Sequence, residues 1–197
     1  MKKIEIIWRE LLFQAIEKKK RQFTQKELAE KFSFSTSTIF QALKIPRKMG
    51  AVRVTGRFFI LEDPEKLLYH WVSFRNLDND TLLRGKVNLS ISEIEGQMPP
   101  DVIFGGFTVA GKYLKGNLPA DYDKVYVYSN NLKNIKQRFQ FDKGRENIIV
   151  LEADPFIRQY GSITTLAQNF VDLWNMPEWY AKEYVIVLKE RINGFLS

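Results

Sequence analysis

Residues 23–61 confine the chain to very few folds. Thr24 and Glu27 stand three apart at the head of Gln25-Lys26-Glu27-Leu28. In that spacing the hydroxyl accepts from an early helical amide and the carboxylate reaches back to the cap, while Phe23 staples onto Leu28. The helix so begun buries Leu28, Ala29 and Phe32 and stops at Ser33-Phe34-Ser35. Ser35 is itself a cap, so a second helix starts at Thr36, with Ile39 and Leu43 facing inward. Pro46 predicts that this helix ends or kinks near Lys44–Ile45, and Gly50 lets the chain turn out. Beyond Gly50 the period becomes that of a strand. Val52-Arg53-Val54 and Phe58–Leu61 flank Thr55-Gly56-Arg57, a hairpin turn. Two helices on a three-residue turn, followed by a hairpin, form a helix-turn-helix with a wing.

Ile4, Ile7, Trp8, Leu11, Leu12, Ala15 and Ile16 predict an amphipathic helix ahead of that unit. It ends near Lys18-Lys19-Lys20-Arg21, where cations suit a helix C-terminus. The same run is either a phosphate contact or a solvated helix end. Charge sharpens the reading. Residues 1–62 hold 9 Lys and 5 Arg against 6 Glu, a net of +8, and the rest of the chain holds 16 basic and 17 acidic residues, a net of −1. The excess of the whole chain, +7, therefore sits in the first third, which points to a polyanion such as double-stranded DNA. In such a complex the second helix enters the major groove. Thr36, Ser37, Gln41 and Lys44 would face the bases and phosphates, with Arg53 and Arg57 on the wing. Phe40 either touches a thymine methyl or packs on the wing. A winged helix that contacts only protein is the alternative.

The absence of cysteine excludes disulfides, thiolate zinc sites and thiol nucleophiles. The N-terminus carries Glu5, Arg9 and Glu10 within its apolar run, unlike a signal peptide, and no stretch approaches 18 apolar residues. A cytoplasmic protein without a membrane partner is expected. The one histidine, His70, lies among Leu67, Leu68, Trp71 and Val72 and is read as structural.

Asp63 as cap and Pro64 at the first helical position mark the junction, giving expected domains of 1–62 and 63–197. In the second, Val87, Leu89 and Ile91 alternate like a strand, although Ile91–Glu95 also fits a helix start. Strands are expected at 101–104, 124–128 and 147–151. Helices are expected at 107–114 and 131–139, from a cap at Ser162, and from Pro177 to about Phe195. This alternation indicates an α/β sandwich, so the chain is α/β (α+β) as a whole. Gly105-Gly106 before a helix, then Asp121-Tyr122-Asp123 before a strand, resembles nucleotidyltransferases of the polymerase-β type. Two carboxylates spaced by two share a face and can hold a divalent metal, with Glu152 or Asp154 as third acid. Lys124 after the pair, and Gly where a Ser is usual, depart from that pattern.

The chain as a whole resembles the AbiEi-like antitoxins of type IV toxin–antitoxin systems and related winged-helix regulators. The resemblance rests on residues 23–61, on Asp-Pro-Glu-Lys-Leu-Leu-x-x-Trp at 63–71, on Gly-Gly-Phe-Thr-Val-Ala-Gly at 105–111 and on residues 163–174. It implies a transcription regulator that binds operator DNA and represses its own operon. It also implies a nucleotidyltransferase-like second domain without catalytic activity, a cognate toxin as partner and no cofactor. A homodimer is compatible with this plan. The alternative is an active nucleotidyltransferase using Mg2+ and a nucleoside triphosphate at Asp121, Asp123 and Asp154.

Overall fold

The computed structural model describes residues 1–196, and the chain is a mixed α+β protein. Its first elements are α1 (Lys3–Glu17), β1 (Gln22–Phe23), α2 (Gln25–Phe32), α3 (Thr36–Lys48), β2 (Val52–Val54) and β3 (Phe59–Leu61). Both expected caps form. Thr24 Oγ1 accepts from the Glu27 amide at 3.1 Å and Ser35 Oγ from the Thr38 amide at 3.2 Å. The strands make an antiparallel sheet in the order β1-β3-β2. β1 is an element the sequence pattern did not announce, because two residues carry no period. The order helix, strand, helix, turn, helix, hairpin is that of a winged helix-turn-helix unit.

α4 (Pro64–Phe74) follows, capped by Asp63, whose carboxylate accepts from the Lys66 amide at 2.9 Å. Next come β4 (Thr81–Gly85), α5 (Ile91–Gln97), β5 (Ile103–Gly105), α6 (Gly106–Tyr113), β6 (Val125–Tyr128), α7 (Leu132–Arg138), β7 (Ile148–Leu151), α8 (Leu166–Trp174) and α9 (Ala181–Leu196). The sheet order is β4-β7-β6-β5, with β6 and β7 parallel and both outer strands antiparallel to their neighbours. Every residue of β6 and β7 is buried, because alternate side chains serve two cores. Val125, Val127, Ile148 and Val150 pack with Ile94, Ile135 and Phe139. Tyr126, Tyr128, Ile149 and Leu151 pack toward α6 and α8.

Several boundaries differ from expectation. The strand lies at 81–85, not 87–91, because its register is set by pairing with β7, and Val87 is instead held by the Asn147 side chain at 2.9 Å through both its N–H and its C=O. Thr165, not Ser162, caps α8, because residues 162–164 pair by backbone with Phe104 on the edge of β5. α9 starts at Ala181, four residues after Pro177.

The first helix departs most. The spacing predicts an amphipathic helix, yet Glu5 to Leu12 are all buried. It packs on α3 and α4, and on α8 and α9. One apolar core runs without a break from Ile6 to Ile192. The boundary at residue 62 is thus a boundary of sequence pattern and not of packing. The polar residues of α1 lie inside because each has a partner. Glu5 accepts from Trp71 Nε1 at 3.0 Å, Arg9 pairs with Asp154, and Glu10 accepts from Lys31 and Tyr160, both at 2.6 Å.

Candidate nucleic-acid interface

Ile39, Ala42, Leu43 and Pro46 form the buried face of α3. That phase leaves Thr36, Ser37, Gln41, Lys44 and Lys48 exposed. Ser37, Gln41, Lys44 and Lys48 recur at intervals of four, three and four, so they form one stripe along a helix roughly 20 Å long. Among the described residues, no part of the second lobe covers it. That lobe meets the unit through α1, through α4 against α3, and through Phe156, whose ring lies edge-on to Phe32 and Phe34 at the turn before α3.

α3 runs three residues beyond its expected end. Its 13 residues continue through Pro46 to Lys48. Two devices allow this. The first is a Schellman closure at the C-terminus. The Ala51 amide bonds the Pro46 carbonyl at 2.9 Å and the Gly50 amide bonds the Arg47 carbonyl at 3.2 Å, with Gly50 at φ +77°. The second is a side chain. A proline at 46 supplies no N–H to the carbonyl four residues back, and that carbonyl, of Ala42, accepts instead from the indole of Trp8 at 2.7 Å. The extension adds Arg47 and Lys48 to the exposed surface. The sequence held a signal for them in Gly50-Ala51, the glycine and apolar residue that follow a helix end; Pro46 masked it.

Phe40 does not pack on the wing. It is 43% exposed, with the Arg47 guanidinium 5.9 Å above its ring. Ile45 is exposed beside the polar stripe, and Val54 is exposed on the wing. On the wing, Thr55 bonds Phe58 through both its amide and hydroxyl, each at 2.8 Å, which closes the turn and leaves Arg57 at the tip. Among the described residues Lys44, Lys48 and Arg57 make no ion pair. Arg53 does, with Glu62 at 2.6 Å, an exposed contact of the kind worth less than about 1 kcal/mol and open to exchange. The basic run after α1 is partly engaged elsewhere: Lys19 donates to the Phe195 carbonyl, Arg21 to that of Leu196, and Lys20 pairs with Glu27.

Protein-family models, curated proteins and solved structures give no match to this chain.

The second lobe does not assemble the acids that the sequence offered for a metal. Asp121 and Asp123 precede β6 and Asp154 follows β7; since the strands are parallel, the pair and the third acid lie at opposite ends of the sheet. Asp154 is buried, with both oxygens taken by Arg9. Asp123 accepts from the Tyr180 hydroxyl and lies 3.7 Å from Arg145. Glu152 is exposed beyond β7. Gly105 and Gly106 are not an open loop. Both are buried, and a Cβ on Gly105 would meet the Tyr128 ring at 3.2 Å, one on Gly106 the Met176 methyl at 3.0 Å. Gly106 also sits at φ +58°, a conformation glycine adopts freely. The glycines serve close packing between β5, α6 and the tyrosines of β6. These residues as placed do not fit a divalent metal with a nucleoside triphosphate.

A buried ionic cluster joins the two halves of the chain. Arg75 contacts Asp80, Asp172 at 3.0 Å and Glu5 at 3.7 Å, and Tyr128 donates to Asp172. Burial raises the Asp172 carboxyl above its ordinary value despite Arg75. Burial works on Asp80 in the same sense, but the bond from Arg75 and the α-amino group of Met1 outweigh it and hold Asp80 low.

Proposed function

We propose that this chain is a DNA-binding transcription regulator that lays α3 in the major groove and rests its wing on the backbone. One observation carries the reading: Ser37, Gln41, Lys44 and Lys48 form an exposed stripe on a helix whose opposite face is fully buried. A glutamine can bond adenine through two contacts, hydroxyls bond base edges or phosphates, and the lysines bind phosphate. Exposed Phe40 and Ile45 flank the stripe, where thymine methyls would lie.

The resemblance to AbiEi-like antitoxins implies that such a regulator acts on its own operon, with a toxin as protein partner and a second lobe that acts without catalysis. Autorepression predicts that the duplex upstream of the chain's own coding region is the preferred site. A dimer would present two copies of α3 to two half-sites about 34 Å apart. Among the described residues no helix is long and apolar enough to cross a membrane.

Fluorescence anisotropy of the full chain with that duplex and with an unrelated one, across a salt series, tests the reading. Binding that weakens linearly on a logarithmic salt scale, and is tighter for the upstream duplex, is the expected result. Absence of binding to either duplex at about 50 mM salt, a condition that favours phosphate contacts, would overturn it.

A further inference from the structure

We infer that Trp8 is a positioning residue for the DNA-facing surface, standing in for the hydrogen-bond donor that Pro46 lacks. Three facts meet at this point. α3 stays helical through Pro46 and for two residues beyond it. The carbonyl orphaned by a proline at 46 is that of Ala42, and a proline ring crowds the same carbonyl. Trp8, 2% exposed on the neighbouring helix, donates its indole N–H to that oxygen at 2.7 Å. A buried carbonyl left without a donor is costly, and a proline inside a helix ordinarily kinks or ends it. The indole satisfies the carbonyl from outside the helix and ties the turn before Pro46 to α1. Arg47 and Lys48 lie just beyond that tie. The alignment of Lys48 with Gln41 and Lys44 depends on the helix continuing through that gap.

α1 also ties the second lobe to the proposed DNA-facing surface. Three consecutive residues of α1 grip three different elements. Trp8 holds α3, Arg9 holds Asp154 after β7, and Glu10 holds Lys31 of α2. α1 thereby fixes α2 and α3 against the α/β layer. The functional half of this inference rests on the DNA-binding reading; the structural half does not.

Trp8→Phe keeps an aromatic ring in the core and removes the donor. Pro46→Ala restores a backbone N–H at the position from which a helix normally supplies one. The pair therefore predicts compensation. Full-length wild type, Trp8→Phe, Pro46→Ala and the double variant are compared by thermal unfolding and by DNA binding across a salt series. Trp8→Phe is expected to unfold at lower temperature, to bind DNA more weakly and to lose about one unit of the salt slope, the share of one phosphate contact such as Lys48. Pro46→Ala alone is expected to stay near wild type. The double variant is expected to recover the slope and to lose less stability than the two single changes summed. The void left by the smaller ring is present with and without proline, so it cancels in this comparison.

Equal losses from Trp8→Phe in the proline and alanine backgrounds would overturn the inference, as would an unchanged salt slope. If Trp8→Phe alone does not fold, recovery of a folded chain in the double variant supports it, and failure to recover rejects it. If wild type ignores DNA at low salt, the DNA-binding reading fails and the positioning role with it, whereas the unfolding cycle still decides whether the indole replaces the missing amide.

Discussion

Arg9 reaches both oxygens of Asp154 with its two terminal nitrogens, at 2.6 and 2.8 Å, across 145 positions of sequence. Gln168 accepts a third bond at 3.2 Å and the Tyr160 ring lies 4.9 Å from the guanidinium carbon. The guanidinium is wholly buried. Burial disfavours its charge, and Asp154 more than restores it. Removing one partner of such a pair strands the other, at a cost of about 3–5 kcal/mol, whereas replacing both with apolar groups is far milder. Arg9→Met and Asp154→Leu are therefore each expected to destabilise the chain by that amount, and the double variant by much less than their sum. Urea unfolding of the four proteins measures the coupling.

His70 gives a separable dependence on pH. Burial lowers its pKa below the ordinary 6.5, with the Trp8 ring edge-on at 4.8 Å. Its folded value lies under its unfolded value, so the unfolded chain takes up the proton first. Stability is then unaffected above about pH 7 and falls as pH drops through 6.5. No other histidine and no cysteine titrates in that range. Thermal midpoints between pH 7.5 and 5.5 should decline for wild type and stay flatter for His70→Gln; identical slopes would reject the assignment.

The proposed base and phosphate contacts should separate on mutation. Gln41→Ala is expected to cost about 1–3 kcal/mol on the preferred duplex and little on an unrelated one, narrowing the gap between them. Arg57→Ala should weaken both alike and lower the salt slope by about 0.9. Equal losses on both duplexes for both variants would refute this division.

The glycine pair and the acid pair should behave oppositely. Gly106→Ala places a methyl against Met176 and Tyr126 at a positive φ, so a loss of about 1–3 kcal/mol is expected. Asp121→Ala alters an exposed carboxylate and should stay within about 0.5 kcal/mol of wild type. Urea titration of both variants checks this, and a destabilised Asp121→Ala would show that the acid has a structural task not apparent from its exposure.

What could be read from the sequence was what is decided locally. Thr24, Ser35 and Asp63 cap the helices expected of them because a cap and its amide lie three residues apart. Ile39 and Leu43 fixed the phase of α3, so the outward residues followed. Features decided at a distance were hidden. The helix outlasts Pro46 because the donor to the Ala42 carbonyl comes from Trp8, 34 positions before Ala42. Asp154 looked available because the guanidinium that claims it belongs to the opening helix. Ser162 looked like a cap because nothing nearby reveals that residues 162–164 are pairing with β5. Arg9 and Glu10 looked like the polar side of an amphipathic helix for the same reason.

The burial of α1 on every side limits how this protein can be cut or recombined. A product ending at residue 62 would carry Ile6, Ile7, Leu11, Leu12 and Ile16 without α4, α8 and α9 to receive them, and is expected to precipitate or pair with itself. Residues 1–62 are not a portable cassette, because α1 is packed against α4, α8 and α9. Any exchange at that junction would have to carry the last two helices along with the first.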